Sequence, residues 1–480
     1  MAMAAALSVT FFLGESLRLD ESQSLWQTSY SPKEILHIVG QDVHVPLYHL
    51  TLHYWELLFG NNVVAARVLS LVFFLASIPM LYLLGLRAYE HRGVALFATA
   101  LFSLSPFMNW YGNEVRMYSL LTLLAILSHY FFLGLYKHGD RVSYVGFGIA
   151  TLLGVFTHYF FLIIVASQLV FYLWKRRSFP AGTTRQLLII GSFVFLAFAP
   201  WLAYVVSLGL GGNTQPLLPI PTSVNVFNAL AEFFIGFQED HLNALIISTW
   251  PIAVLVSFLT LRKYNRPPEE SVYFIAAAFL PVIIVYLASV FWKPLYVSRY
   301  LIFTAPAVYL VVSWVIHTYA PAASFAFRGA LIAIMVTTLG IQAMNAEAPV
   351  KENYRGATEY LNQNAGPNDV VIVSAPFTIY PVEYYYDGSA SLKTLPEWNR
   401  NVIGPIPPFS EATLKEDVER LTGGYRRVWI LLSYDQGYED AIKQHFDSHY
   451  HLLDEKTFSR NLTLYAYQLR YDDESFSVAR

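Results

Sequence analysis

"NVVAARVLSLVFFLASIPMLYLLGLRAYEHRG", residues 62–93, decides the fold class. Apart from Arg67, residues 62–86 are almost wholly apolar, and a helix needs about 20 such residues to cross a bilayer. The run ends in a short basic segment, "LRAYEHRG" (86–93). The same alternation of apolar run and short connection recurs at 93–108, 117–136, 142–157, 159–174, 186–208, 243–261, 271–290, 299–319 and 327–345. With Met1–Leu13 these make eleven expected transmembrane helices. The first is short for a full span, and it has neither the basic leader nor the small-residue cleavage site of a signal peptide.

Composition agrees. The chain of 480 residues is 55% hydrophobic and only 14% charged, where a soluble domain carries about 25% charge. The absence of cysteine excludes disulfides and thiolate metal sites. A net charge of −3, with no basic stripe interleaved with aromatics, gives no sign of nucleic-acid binding.

Orientation follows from the loops. "LRAYEHRG", "YKHGDR" (136–141), "WKRRSFPAGTTR" (174–185) and "LRKYNRPP" (261–268) are short and basic. The alternate set, 14–61, 105–116, "THYF" (157–160), 209–242 and 291–299, is longer on average and poorer in Lys and Arg. The positive-inside rule makes the first set cytoplasmic. The N-terminus is then expected inside and the C-terminal part outside, in an integral multi-pass membrane protein of a plasma or endoplasmic-reticulum type membrane.

From about residue 346 the pattern changes. "ENYRGATEYLNQNAGPNDVVIVSAP" reads as an amphipathic helix, a turn and a buried strand. "RRVWILLSYD" (426–435) and "LTLYAYQLR" (462–470) read as strands and "YEDAIKQHF" as a helix. The expected organisation is a membrane domain over 1–345, including the external loop 14–61, and a small soluble α/β domain over 346–480.

Four polar constellations fall on the expected external side. The first is Arg18, Asp20 and Glu21, where one carboxylate suits a general base and the other an orienting role. The second is "GQDVHVPLYHLTLHYWELLFG" (40–60). Leu47, Leu50, Tyr54, Leu57 and Leu58 recur at helical spacing behind Pro46, as in a helix lying in the interface, and His44 precedes it. His44, His49 and His53 lack an obvious third ligand for zinc. The third is Glu114 and Arg116, and the fourth Lys293, Arg299 and Tyr300, with His158 and Tyr159 at the same level. Each reads equally as helix capping, a salt bridge or snorkelling when taken singly. Together, cations kept on the side where positive charge is depleted point to an anionic partner.

The order of "LDES" (19–22), "DVHVPLY" (42–48), "NEVRMYS" (113–119), "THYF" and "SRYLIFTAP" (298–306) resembles the GT-C-fold glycosyltransferases that use polyprenyl-phosphate sugars. It is most similar to the family-39-like group of protein O-mannosyltransferases and the bacterial aminoarabinose transferase. Val45 stands where that group has the first proline of its H-P-P-L-Y element. The resemblance implies about 11 transmembrane helices with a small extracytoplasmic α/β domain. It implies Asp20 as catalytic base paired with Glu21, and His44, Arg116, Arg299 and Tyr300 around the donor phosphate. Asp42, Tyr48, Glu114, Tyr118, His158 and Tyr159 would support that pocket. It further implies a polyprenyl-phosphate-linked sugar as donor and a hydroxyl acceptor on protein, lipid or polysaccharide, with membrane lipids around the helices. Asp20 would take the acceptor proton as its oxygen attacks C1, inverting the anomeric centre. No cofactor is required, and a divalent metal at Asp20 or Glu21 is compatible with this set. The competing readings are a flippase for lipid-linked sugars, a non-catalytic binding protein and a pyrophosphate-using oligosaccharyltransferase.

Overall fold

A computed structural model describes residues 2–209, 218–237, 268–344, 352–401 and 406–469. The expected span 243–261 lies outside the described residues. The chain forms two compact units: residues 1–14 with 30–349, and residues 15–29 with 350–480. The segment 15–29, expected to belong to the membrane domain, packs with the C-terminal residues instead.

The first unit is helical. Among the described residues six helices are long and apolar enough to cross a membrane. They are α5 (Val63–Tyr89), α8 (Tyr118–Lys137), α11 (Thr183–Ser207), α13 (Glu269–Phe291), α14 (Ala305–Tyr319, with the 3-10 turn Ser298–Thr304 before it) and α15 (Ser324–Met344). α6 (Arg92–Leu104) and α7 (Pro106–Gly112) form a further apolar pair, bent by 62° at Ser105. Ser105 Oγ caps α7 by accepting from Met108 N–H, and Pro106 fills its first turn. α1 (Ala2–Phe11), α9 (Arg141–Val155) and α10 (Phe161–Lys175) are shorter. Their spans were expected from the sequence, so the count of eleven rests on short helices as well as long ones.

Arg67, the charge inside the opening run, is 4% exposed. Its Nη1 donates to the carbonyls of Phe12 and Leu13 at 3.0 and 3.3 Å. It thereby satisfies backbone acceptors left over beyond α1, which makes a buried cation tolerable. Three of the basic segments and the start of α13 converge through ion pairs. Lys137 reaches Glu90 at 3.0 Å and Glu270 at 3.4 Å, and Lys175 pairs with Glu269. The ends of α5, α8 and α10 and the start of α13 therefore share one end of the bundle, as the loop alternation requires.

Between the spans lie α3 (Pro32–Gln41), α4 (Pro46–Phe59) and α12 (Ser223–Ile235). α4 is the helix expected behind Pro46. It buries Tyr48, His49 and Leu52 and leaves Tyr54, Leu57 and Leu58 exposed, the amphipathic form suited to an interface.

The second unit is an open α/β sheet in the order β2-β1-β3-β5-β4. The strands are β1 (Asp369–Ser374), β2 (Ser391–Thr394), β3 (Arg427–Ser433), β4 (His451–Ser459) and β5 (Leu462–Gln468). β1 pairs parallel with β2 and β3, and β5 antiparallel with β3 and β4. Alternate residues feed opposite faces, as a strand's period of two dictates. Val371, Val373, Trp429 and Leu431 pack on α16 (Tyr354–Asn364) and α17 (Ile379–Tyr385). Val370, Ile372, Val428 and Ile430 pack on α18 (Leu414–Thr422) and α19 (Glu439–His449). α2 (Leu19–Thr28) belongs to this unit and packs against α17.

Candidate active site

In the first unit, the segment 113–117 joins α7 to α8 and is buried throughout. Arg116 is 3% exposed. Its Nη1 donates to His44 Nε2 at 3.1 Å. An arginine N–H can only donate, so Nε2 is the acceptor and the ring carries its proton on Nδ1. His44 in this arrangement is a neutral group that aims a guanidinium. Asp42 Oδ2 lies 3.7 Å from the same nitrogen, and Asp42 Oδ1 accepts the N–H of Val43 at 2.8 Å. The His44 approach is built by Val45 in extended conformation, with Pro46 opening α4. Val45 holds φ at −122°, well outside the range near about −65° that the proline of the related motif would impose, so this turn is extended without a proline's constraint.

Tyr48 is linked through Ser70 to the Arg116 backbone. Its hydroxyl bonds Ser70 Oγ at 3.0 Å, and Ser70 lies 3.5 Å from the Arg116 carbonyl. Tyr118 packs edge-on to Tyr111 at 5.1 Å, closing the start of α8. Glu114 is buried, and its carbonyl accepts the Arg116 N–H at 2.7 Å. His49 stacks 5.6 Å from His44. Burial first, then its neighbours His44 and Arg116, lowers its pKa to about 3. His49 is therefore a neutral, buried group.

A second cluster in the same unit joins His158, Tyr300 and Arg299. The His158 and Tyr300 rings lie 5.7 Å apart, and the Arg299 guanidinium sits 5.6 Å from the Tyr300 centroid. His158 Nδ1 accepts the Phe160 N–H at 3.1 Å, which leaves Nε2–H as the group available to a ligand. Tyr159 accepts from Trp201 Nε1 at 3.2 Å. Sequence reasoning missed Glu232 of α12, whose carboxyl is hydrogen-bonded to Ser298 beside Arg299. It is the one charged residue of that helix, and that isolation was the available signal.

An apolar cavity of about 380 Å3 lies among α8–α11, lined by Phe132, Phe147, Val155, Leu169, Val194 and Phe198. Phe198 also touches the rings of Phe156 and Tyr159, in the turn that carries His158.

Asp20 and Glu21 stand in the second unit, in the first turn of α2. Glu21 is 2% exposed, and its Oε2 accepts the Arg18 N–H at 3.1 Å. It caps the helix. Asp20, half-buried at the preceding position, has its side chain on another face. Glu21 is thus engaged by the helix's own backbone, and the two neighbouring carboxylates face different surroundings.

Residues 43–204 match the family model described as dolichyl-phosphate-mannose-protein mannosyltransferase. The chain is similar in structure to ArnT from Cupriavidus metallidurans in the apo state, at 13% identity and TM-score 0.61, covering 97% of this chain and 96% of that one. The same protein bound to undecaprenyl phosphate matches at 12% identity and TM-score 0.59, with the same coverage. No curated protein matches the sequence. The chain thus shares the GT-C fold of these structures, carries six helices long and apolar enough to cross a membrane among its described residues, and over residues 43–204 is similar to the dolichyl-phosphate-mannose-protein mannosyltransferase family.

Proposed function

We propose that the chain transfers a sugar from a polyprenyl monophosphate to a hydroxyl acceptor, with inversion at the anomeric carbon. The observation that carries this reading is the buried Arg116 guanidinium aimed by His44. A fixed cation in a place poor in water is a strong stabiliser of charge that develops on a leaving phosphate. Arg299, with Tyr300 and the Nε2–H of His158, supplies a second group of the same kind. The apolar cavity among α8–α11 suits an isoprenoid chain. The undecaprenyl phosphate bound to the similar ArnT structure supports a lipid phosphate as carrier.

In the reaction, the acceptor oxygen attacks C1 of the sugar and gives its proton to Asp20. The bond between C1 and the phosphate oxygen breaks, and the phosphate leaves with the electron pair, neutralised by the arginines. Asp20 takes the role of base from the sequence resemblance. No step passes through a metal, because a monophosphate leaving group has its counter-charge in Arg116 and Arg299. The N-terminus is placed in the cytoplasm and the C-terminal unit outside, on the basis of the basic loops.

The test is transfer or hydrolysis from a panel of radiolabelled polyprenyl-phosphate sugars by wild type and Asp20→Asn. Turnover by wild type alone supports the reading and names the sugar. Equal turnover by Asp20→Asn removes Asp20 as base. Donor binding by both without turnover, in the presence of a range of acceptors, favours a flippase.

A further inference from the structure

Open α/β sheets bind ligands outside the carboxyl ends of their strands, where the chain order reverses. The second unit has such a point between β1 and β3, which run side by side with Ser374 paired to Leu432. After β1 the chain turns to α17, whose Val382 joins the core of one face. After β3 it turns to α19, whose Ile442 and Phe446 join the other. The loops 375–378 and 434–438 therefore part over the strand ends.

The place where they part is furnished with polar groups. Tyr434 has a φ of +58°, a left-handed conformation that a bulky residue holds only where its surroundings impose it. Its ring meets Phe377 edge-on at 6.1 Å, and its phenol is hydrogen-bonded to the Glu352 carboxylate. Glu352 is 5% exposed, yet its Oε2 has no hydrogen-bond partner among the described residues. Arg18 and Asp20 act on the same phenol. They are held there because Leu17 N–H donates to the Tyr385 hydroxyl at 2.9 Å and Trp26 packs on Tyr380 at 5.1 Å. On the β3 side, Tyr438 stacks on Phe409 at 4.4 Å, and burial beside Asp435 and Asp440 pushes the Glu439 carboxyl up to about 7.

We infer that this crevice is the acceptor subsite and that it takes a neutral carbohydrate, whose hydroxyls donate to Glu352 Oε2 and whose ring lies against Tyr434, beside Asp20. Carboxylates accept and do not donate, so the site fits a ligand rich in hydroxyl donors. Phosphorylated or acidic acceptors would meet two carboxylates, Glu352 and Asp20, against the one guanidinium of Arg18. The reading of Asp20 as base enters only in deciding which hydroxyl reacts; binding in the crevice stands without it.

The experiment uses the full chain in lipid nanodiscs with three probes: a neutral mannotriose, a sialylated trisaccharide and a Ser/Thr-rich peptide. Hydrogen exchange of 352–360 and 430–440 is followed alongside binding, and undecaprenyl monophosphate binding is measured separately. Wild type should bind the mannotriose at millimolar concentration or better and protect both segments. Glu352→Gln and Tyr434→Phe should each weaken that binding at least tenfold and leave undecaprenyl monophosphate binding unchanged. Absence of mannotriose binding, preference for the acidic sugar or the peptide, or equal binding by the variants would overturn the subsite. Loss of undecaprenyl monophosphate binding by wild type would instead count against the donor reading.

Discussion

Arg116 Nη1 lies 3.1 Å from His44 Nε2, a contact between residues 72 apart that joins the loop before α8 to the entry of α4. Because the arginine must donate, the histidine is neutral and serves to aim the cation. His44→Gln, which keeps an acceptor, should retain more kcat than His44→Ala. Arg116→Ala should lower kcat/KM by about 10²–10³. Arg116→Lys should not restore it, since an ammonium cannot reproduce the guanidinium fork. Steady-state kinetics with a polyprenyl-phosphate sugar check all three.

Glu21 and Asp20 separate by readout. Glu21→Ala removes the acceptor of the Arg18 N–H and should cost about 1 kcal/mol, lowering Tm by a few degrees. Asp20→Asn should leave Tm near wild type and abolish transfer. Calorimetry beside activity decides; a Tm loss confined to Asp20→Asn would reverse the assignment.

His49 gives a pH dependence of stability. Its folded pKa, lowered to about 3, lies below the unfolded value of 6.5. Between those values the unfolded chain binds a proton that the folded chain refuses. The site's contribution is therefore neutral above pH 6.5 and destabilises the fold progressively as pH falls from 6.5 toward 3. The slope from this one site is about 1.4 kcal/mol per pH unit. Replacing His49 by Gln should flatten the fall between pH 6.5 and 4, measured by denaturant titration in detergent.

The cysteine-free sequence suits a topology test. Single cysteines at Glu90 and Ser178 should be labelled by an impermeant maleimide from the cytoplasmic side only. Those at Asn61 and Lys293 should react only from outside. Labelling of Glu90→Cys from outside would invert the bundle.

The apolar runs were legible because a membrane span is a composition signal that needs no partner. α16, β1, β3, α19 and β5 were legible because each carries its own period. β4 was not: it is an edge strand with Asp454, Glu455 and Lys456 in mid-strand and a largely exposed face. Charges of that kind protect an edge and hide the strand pattern. α2, "LDESQSLWQT", lacks an apolar stripe, and its cap has Arg18 where a capping signature has Ser or Thr. Within the site, the candidate residues could be listed from loop position. The pairing of His44 with Arg116 could not, since no spacing rule links a pre-helical histidine to a buried bend between two later helices. Glu352 and Tyr434 were equally silent, because what marks them is burial and a left-handed φ.

The central claim is that the Arg116 cluster holds a lipid phosphate. The most direct measurement is binding of undecaprenyl monophosphate to wild type and to Arg116→Ala in nanodiscs, by native mass spectrometry. The account predicts a wild-type complex at micromolar lipid phosphate and at least tenfold weaker occupancy in Arg116→Ala. Equal occupancy in the two proteins, with the variant folded, would contradict it.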